Sequence, residues 1–263
     1  MEVLIAQDPA EAAKRAADAV LDGLRRVDGH RLVLGLATGS SPLGLYAELA
    51  AAVARGDVDF SETLGFALDE YIGIAPDREQ SYRQTLLNDV CKVIGLPEAN
   101  LNVPDGMGAA RAEIAAAAAA YDAKIAAVGG IDVQILGIGT NGHVGFNEPG
   151  SSLASRTRIM RLANQTREDN ARFFAGIGHV PTHCVTQGLG TLREARRLVL
   201  IATGAAKAEA VAAAIEGPLT ASCPASVLQL HPDVVICLDE AAASGLRNRE
   251  YYDASALGFQ VTV

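Results

Sequence analysis

The sequence predicts an α/β fold, in which a mostly parallel sheet is covered by helices on both faces and one domain spans residues 1–263. Three observations support this prediction. Short apolar runs typical of buried strands alternate with longer segments of helical character. Hydrophobic residues make up 49% of the 263 residues, which is enough for a large core. No linker rich in proline, serine and glycine interrupts this pattern.

The first half of the chain contains three predicted strands and four predicted helices. Asp8 followed by Pro9 is a typical helix start, because aspartate caps free N–H groups and proline fits the first helical position. Pro42 opens another helix, a few residues after an apolar run. We expect strands at residues 1–6, 31–37 and 63–68, and helices at 9–27, 42–54, 81–93 and 111–128.

The second half continues the alternation. Residues 131–138 read IDVQILGI, an almost continuous apolar run that is typical of a strand buried on both faces. Similar runs predict strands at 197–202 and 234–238, with a helix at 205–215 between them and another at 167–174. Ligands of parallel sheets bind beyond the carboxyl ends of the strands. The residues that directly follow the strands are therefore the first candidates for a functional site.

The composition argues against several classes of function. A formal net charge of −9 disfavours a general nucleic-acid binder or a protein that binds anionic membranes. It does not disfavour an anionic small molecule, because one phosphate needs only a local set of N–H groups and one or two cations. We expect no membrane span, no signal peptide and a cytoplasmic location. The four cysteines form no C-x-x-C pair and are expected to be reduced thiols.

The first candidate loop follows the second predicted strand and reads ATGSSP. Gly39 permits an unusual backbone turn, and Ser40 and Ser41 offer hydroxyl and N–H groups. The helix that starts at Pro42 adds free N–H groups and a positive dipole end, so the loop can hold a phosphate. An ordinary capped strand–helix turn has the same composition, and this loop alone does not decide between the two.

The second candidate loop follows the third predicted strand and begins with Asp69 and Glu70. Two adjacent acids at a strand end can supply a general base and a partner that orients it. A helix cap or a solvated turn would use the same residues, so this interpretation depends on the other loops.

The third loop, GIGTNGHVGFNEPG at residues 137–150, presents Asn141, His143 and Glu148. Its G-x-G-x-x-G spacing resembles a dinucleotide fingerprint, but Pro149 follows where that motif needs a long helix, so we expect no NAD or FAD. A histidine moves protons near neutral pH, and a nearby carboxylate fixes its tautomer. The crowded glycines favour this over a structural histidine. No set of ligands has metal-site spacing, so no metal is expected.

Two cations complete the candidate site. Arg172 lies in the predicted helix at 167–174, and Lys207 lies in the first turn of the predicted helix at 205–215. A lysine in a first turn is unfavourable for the helix dipole, and a bound anion would offset that cost. Either residue, taken alone, is more simply a solvated surface charge.

Together these segments resemble the glucosamine-6-phosphate deaminase family over essentially the whole chain. The segment GIGTNGHVGFNEPGSSLASRTR at residues 137–158 is the most specific part of the resemblance. The resemblance implies a Rossmann-like α/β fold without a cofactor. It also implies conversion of glucosamine 6-phosphate to fructose 6-phosphate and ammonia. The other matching segments are LGLATGSSP at 34–42, LDEYIG at 68–73, SYRQTL at 81–86 and VTQGLGTL at 185–192.

The resemblance also implies roles for individual residues. Asp69 would be the base that moves a proton between C2 and C1 of the open-chain sugar. His143, oriented by Glu148, would assist the opening of the sugar ring. The residues expected to hold the phosphate are Gly39, Ser40, Ser41, Arg172 and Lys207.

Two positions depart from the family pattern. Asn141 stands where many members carry an aspartate, and because an amide is neutral, Glu148 would be the only charged partner of His143. Met160 stands where members activated by N-acetylglucosamine 6-phosphate carry a lysine, and a methionine cannot bind a phosphate. We therefore expect weak or absent activation by that ligand. The oligomeric state stays open, a homo-oligomer included.

Three other functions stay open. A 6-phosphogluconolactonase would share the fold and the phosphate loop, but the set of Asp69, His143 and Glu148 favours the deaminase. A non-catalytic sugar-phosphate sensor would not need all three side chains. A galactosamine-6-phosphate deaminase remains an alternative, because no motif reports which hydroxyl faces the pocket at C4.

Overall fold

The structure, a computed structural model, describes residues 1–256. Within this range a main sheet is formed by strands that are all parallel, so the predicted α/β fold is confirmed. Its strands are β1 (Glu2–Ala6), β2 (Val33–Leu36), β3 (Leu64–Ala67), β5 (Leu101–Asn102), β6 (Val133–Leu136), β9 (Arg197–Ala202) and β10 (Val234–Asp239). Their order across the sheet is β1-β10-β9-β6-β2-β3-β5.

A smaller antiparallel sheet begins with the strand that directly follows β3 in the chain. It is formed by β4 (Asp69–Tyr71), β8 (His183–Thr186) and β7 (Arg158–Arg161), in that order of pairing. The prediction of a loop at Asp69 was wrong. Strand β4 has only three residues, two of them acidic, and its conformation depends on pairing with β8, where Thr186 lies 117 positions after Asp69. No local pattern in the sequence reports such a pairing.

Helices pack around the main sheet. The predicted start of the first helix is confirmed, because Asp8 accepts a hydrogen bond of 2.8 Å from the N–H of Glu11 and Pro9 is the first helical residue. A π-helical turn at Leu87–Cys91 divides the helix predicted at 81–93. The α-helices are α1 (Pro9–Arg25), α2 (Ser41–Arg55), α3 (Tyr82–Leu86), α4 (Lys92–Ile94), α5 (Arg111–Ala127), α6 (Asn164–Asn170), α7 (Leu189–Leu192), α8 (Ala208–Ile215) and α9 (Arg249–Ala256).

The two candidate cations lie in segments predicted to be helical, and each belongs to a 3₁₀ turn at the end of an α-helix. Arg172 lies in the turn Ala171–Phe173, directly after α6, and Lys207 lies in the turn Ala205–Lys207, directly before α8. Such turns are common at the ends of α-helices. Both residues line the same cavity.

The hydrophobic core lies between the main sheet and its helices. Strands β2, β6, β9 and β10 are buried along their whole length, as their continuous apolar sequences predict. The four cysteines are buried free thiols. In the part of the chain that the structure describes, no helix combines the length and the apolar character that a membrane crossing requires.

Candidate active site

A cavity of about 510 Å³ opens beyond the carboxyl ends of the parallel strands. The loops after β2, β3, β6 and β9 all contribute to its wall, together with the turn after α6. Asn141 and Glu148 do not line the cavity but lie next to His143, which does. The other predicted site residues line it directly: Gly39, Ser40, Ser41, Asp69, His143, Arg172 and Lys207.

One end of the cavity is suited to an anion. Gly39 adopts a φ of 103°, a conformation that favours glycine, and it turns the chain into the start of α2. The side chain of Ser40 makes no capping bond there; Pro42 has no N–H and that of Leu43 donates to the carbonyl of Ser40 at 3.4 Å, so within α2 the N–H of Ser41 is the first that can donate to a ligand. Burial lowers the pKa of Lys207, which Asp169 opposes and the charge of Arg172 reinforces. Two neighbouring cations and a helix N-terminus together attract a phosphate.

Asp69 lines the same cavity, and its side chain is almost fully buried. Burial and, next, the charge of Glu70 raise the pKa of Asp69 to about 8, although the N–H of Phe146 and the hydroxyl of Thr186 oppose this shift. A carboxylate whose pKa lies near neutrality is a stronger base than an exposed one and can both remove and return a proton. Asp69 is therefore suited to shuttle protons.

Glu70 has a different task from that of its neighbour. Its carboxylate accepts hydrogen bonds from the N–H groups of Tyr71 at 2.8 Å, Tyr82 at 3.0 Å and Arg83 at 3.0 Å. Tyr82 and Arg83 are the first residues of α3, so Glu70 satisfies free N–H groups at the start of that helix. Burial raises the pKa of Glu70, although these three bonds oppose the shift. Glu70 thus serves structure and places a carboxyl group beside Asp69.

His143 is held by a relay of two side chains. Its Nδ1 lies 2.7 Å from Oδ1 of Asn141, which also accepts the backbone N–H of His143 at 3.1 Å. Nδ2 of Asn141 donates to Oε2 of Glu148 at 2.8 Å, whereas that oxygen lies 3.7 Å from Nδ1 of His143. Glu148, the expected charged partner of the histidine, therefore reaches it mainly through Asn141. The direct partner is the amide of Asn141.

The relay also fixes the tautomer of His143. Because Oδ1 of Asn141 is an acceptor, Nδ1 must carry the hydrogen, and Nε2 keeps its lone pair. Burial lowers the pKa of His143, which Glu148 opposes and the charge of Lys207 reinforces. Near neutral pH the side chain is therefore a neutral imidazole with Nε2 ready to accept a proton.

Replacing Glu148 with glutamine tests the relay. We expect the pKa of His143 to fall further, because the charge that favours the imidazolium is removed while the shape of the side chain is kept. The pKa is measured by NMR titration of the imidazole ring signals. The exposed Glu2, replaced in the same way, is the control. An unchanged or higher pKa in Glu148→Gln would contradict the electrostatic contribution of Glu148.

Close packing holds the loop that carries His143. A Cβ atom on Gly139 would lie 2.1 Å from Cε1 of the imidazole, so the ring rests directly on the glycine backbone. Behind the loop, the carbonyl of Gly142 accepts the N–H of Ala225 at 2.9 Å, and the N–H of Gly150 donates to the carbonyl of Ala221 at 2.8 Å. The histidine therefore has little freedom to move.

An aromatic wall of the cavity was missed by the sequence reasoning. The hydroxyl groups of Tyr71 and Tyr82 lie 3.2 Å apart, and Asn170 donates to the Tyr71 hydroxyl at 3.0 Å. Phe146 and Phe174 pack against the ring of Tyr71. Tyr71 lies in LDEYIG and Tyr82 in SYRQTL. That both segments belong to the family resemblance was the one indication in the sequence that these tyrosines lie near the site. Their place in the wall depends on contacts between distant segments.

Comparisons with known proteins identify the family of the chain. A family model described as glucosamine-6-phosphate isomerases/6-phosphogluconolactonase matches residues 7–236. The chain belongs to this family. Within the glucosamine-6-phosphate isomerase/6-phosphogluconolactonase family, it is 53% identical to a glucosamine-6-phosphate deaminase of Cutibacterium acnes over 252 residues, 96% of this chain and 95% of that protein. It is 54% identical to one of Pseudarthrobacter chlorophenolicus, with the same coverage.

Solved structures of family members share the fold. A monomeric glucosamine-6-phosphate deaminase superposes with a TM-score of 0.87 at 36% identity, covering 93% of this chain and all of that one. The 6-phosphogluconolactonase of Trypanosoma brucei superposes with a TM-score of 0.72 at 20% identity, covering 94% of this chain and 98% of that one, which shows the fold alone. Over residues 1–256, no cluster of three or more His, Cys, Asp or Glu side chains could hold a metal ion.

Proposed function

We propose that this protein is a glucosamine-6-phosphate deaminase, which converts glucosamine 6-phosphate and water to fructose 6-phosphate and ammonia. One observation carries the proposal. The buried carboxylate of Asp69 and the neutral imidazole of His143 line one cavity whose wall also contains Arg172, Lys207 and the start of α2. Relatives with this name are more than 50% identical over 96% of the chain.

The chemistry begins with the closed sugar ring. Nε2 of His143 accepts the proton of the C1 hydroxyl group and returns it to the ring oxygen as the C1–O5 bond breaks, which gives the open-chain aldehyde. The Nδ1–H bond to Asn141 and the charge of Glu148 stabilise the imidazolium that forms briefly. The histidine ends this step in the neutral state in which it began.

Asp69 then carries out the isomerisation. Its carboxylate removes the proton from C2, giving an enolamine, and returns a proton to C1, giving an imine at C2. Water adds to the imine and ammonia leaves, so that fructose 6-phosphate remains. Burial of Asp69 makes it a stronger base, and a pKa of about 8 lets it exchange a proton in both directions. Since only the ionised form removes the C2 proton, kcat/KM is expected to rise with pH through about 8.

The phosphate anchors the substrate at a distance from the reacting carbons. Remote binding energy of this kind orients the sugar for proton transfer. We propose that Ser40, Ser41 and the N–H groups at the start of α2 bind phosphate oxygens, with Lys207 and Arg172 supplying charge. Arg172 lies over the ring of Phe173, 4.8 Å from its centroid, which limits the freedom of the guanidinium.

The phosphate assignment predicts the behaviour of Lys207→Met. The change keeps much of the half-buried aliphatic stem and removes the charge. We expect KM to rise about 10–100-fold with a smaller change in kcat, because a charged hydrogen bond contributes about 1.5–3 kcal/mol. Steady-state kinetics measure both constants. Lys14→Met, at an exposed ion pair with Asp18, should leave both unchanged, and an unchanged KM in Lys207→Met would remove Lys207 from the phosphate site.

The reaction itself is tested by following both products. Purified protein with glucosamine 6-phosphate should release ammonia and fructose 6-phosphate in equal amounts. Galactosamine 6-phosphate and 6-phosphogluconolactone are run in parallel. Lactone hydrolysis without ammonia release would reverse the proposal in favour of a lactonase, and faster turnover of the galactosamine substrate would reassign the substrate. Tight binding of sugar phosphates without turnover of any would support a sensor.

The proposal extends to the metabolic role of the enzyme and to its regulation. We place the activity in cytoplasmic amino-sugar breakdown, including the breakdown of N-acetylglucosamine, because the substrate is a phosphorylated amino sugar. Met160 on β7 packs against an apolar cluster of Tyr71, Phe146, Leu162 and Cys184. A thioether there supports the expectation that N-acetylglucosamine 6-phosphate is a weak activator or none. A sigmoidal rate curve that this ligand straightens would contradict it.

A further inference from the structure

Thr186 faces the proposed base from the neighbouring strand. In the antiparallel pairing of β4 with β8, Thr186 stands directly opposite Asp69. Residues paired in this way present their side chains on the same face of a sheet, close enough to interact. The side chain of Thr186 is fully buried, and its Oγ1 lies 3.5 Å from Oδ2 of Asp69. No step in the proposed chemistry has used this hydroxyl group.

The hydroxyl of Thr186 is surrounded by one donor and two acceptors. The N–H of Phe146, in the loop that carries His143, donates to Oγ1 at 3.1 Å. Oγ1 also lies 3.4 Å from the carbonyl oxygen of Gln187. A hydroxyl group has one hydrogen to donate. Thr186 can therefore donate either to Asp69 or to Gln187, while its bond from Phe146 stays in place.

The protonation state of Asp69 decides between these acceptors. A carboxylate is the stronger acceptor, because hydrogen bonds to charged groups are about twice as strong as neutral ones. Once Asp69 has taken a proton it is a weaker acceptor, and the carbonyl of Gln187 then competes for the hydrogen. A rotation about a single bond is enough to change acceptor, so neither state leaves a buried hydroxyl hydrogen unbonded.

The surroundings of Asp69 make this donor important. The titratable groups that interact with it become negative when they lose a proton, so none stabilises its carboxylate by charge. Burial and the charge of Glu70 raise its pKa to about 8, and the groups that oppose this are the N–H of Phe146 and the hydroxyl of Thr186. The groups concerned are Glu70 and Tyr71 on β4, Tyr82 on α3, Tyr121 on α5 and Cys184 on β8.

We propose that Thr186 is a positioning residue for the base, and that its hydroxyl hydrogen moves between Asp69 and the carbonyl of Gln187 as Asp69 loses and gains its proton. This inference deepens the proposed function and rests on it. Thr186 also ties Asp69 to the histidine loop through Phe146, so that the two proton-transfer groups keep a fixed separation. Gly145 lies close to both groups, since a Cβ atom there would lie 3.1 Å from Oγ1 and 3.3 Å from Oδ2 of Asp69, so a larger residue at this position would crowd both side chains.

The experiment compares Thr186→Val, which keeps the shape, with Thr186→Ser, which keeps the hydroxyl. In Thr186→Val we expect the acidic limb of kcat/KM to move to higher pH by about one unit, since a donor to the charged form is lost. We expect kcat to fall about tenfold, with KM nearly unchanged. In Thr186→Ser the acidic limb of kcat/KM should lie at the same pH as in the wild type. Thr63→Val is the control, since Thr63 directly precedes β3 and its buried Oγ1 has no hydrogen-bond partner among the described residues.

A second measurement does not depend on turnover. Aspartate labelled with ¹³C at the carboxyl group gives the pKa of Asp69 by NMR titration without substrate, and Asp69→Asn assigns the signal. Thr186→Val should titrate about one unit higher than the wild type, and Thr186→Ser close to it. Equal pKa values in all three, or equal defects in the serine and valine variants, would overturn the inference. If Thr186→Val does not fold, Thr186→Ala replaces it. A wild-type pKa of Asp69 and a wild-type pH profile of kcat/KM in Thr186→Ala would also overturn the inference.

The two measurements separate the inference from the proposed function. A wild-type protein that releases no fructose 6-phosphate contradicts the proposed function, and the titration still decides whether Thr186 supports the Asp69 carboxylate. A wild type that is active, with an unshifted profile in Thr186→Val, contradicts the inference alone.

Discussion

Asp69→Asn should reduce kcat for glucosamine 6-phosphate by a factor of about 10³ or more while the protein stays folded. Asparagine has the shape of aspartate but cannot accept the C2 proton, and general bases contribute typically about 10²–10⁴-fold. KM should change little, because the residues proposed to bind the phosphate, Lys207 and Arg172 among them, are unchanged. Ammonia and fructose 6-phosphate are measured together, so that loss of both products identifies a defect in isomerisation and not in imine hydrolysis alone.

The same variant has a second expected effect, on stability. The folded-state pKa of Asp69, about 8, lies above its ordinary value of 3.8. The folded protein therefore binds a proton that the unfolded chain releases, and stability falls as the pH rises from about 4 to about 8. Because asparagine does not ionise, Asp69→Asn does not lose stability in this way as the pH rises. Its Tm should exceed that of the wild type at pH 9 by more than at pH 5. Equal differences at both pH values would contradict the buried ionisation of Asp69.

Gly139→Ala should also abolish most of the activity, for a steric reason. The added methyl group would lie 2.1 Å from Cε1 of His143, so the imidazole or the loop must move. A displacement of about 1 Å in a catalytic group can cost about 10²-fold in rate. We expect kcat to fall by about that factor. Overpacking of this size destabilises folds by about 1–3 kcal/mol, so a lower Tm should accompany the loss.

The control for this prediction is Gly178→Ala. Gly178 has an ordinary φ and no atom within 4 Å of the position of an added Cβ, so alanine should be accepted there without loss of rate or stability. If Gly139→Ala kept full activity, the imidazole would have to be free to leave the position that the structure gives it. The NMR signals of His143 would show such a movement directly.

The main sheet was predictable because its strands are apolar over their whole length. Two of these strands, β6 and β10, can be recognised as buried from their own sequences, without knowing which strands they pair with. The small sheet was not predictable, because β4 consists of Asp69, Glu70 and Tyr71 and is a strand only through its pairing with β8. Helix α9 was missed because none of its residues is fully buried, and its sequence REYYDASA contains few large apolar residues.

The site divides in the same way. Asp69, His143 and the phosphate loop were found because residues that follow parallel strands meet at one edge of the sheet. Their chemical roles stay predictions until the variants are measured. The hydrogen-bond partner of His143 was not deduced, because spacing along the chain does not tell whether Asn141 or Glu148 is nearer. Thr186 lies within the segment VTQGLGTL, but the sequence predicts no role for it, because that role depends on which strand it faces.

The place of β1 at the edge of the main sheet has a consequence for biosynthesis. Within residues 1–256, strand β1 pairs with β10 alone, so that Glu2 lies opposite Val235, near the other end of the chain. At translation rates of about 5–20 residues per second, the ribosome needs roughly ten to fifty seconds to supply that partner after β1 has been made. Throughout this interval an apolar strand has exposed hydrogen-bonding groups and no neighbour. The first strand to leave the ribosome is therefore among the last to be placed, and chaperones that bind nascent chains have most time to act on it.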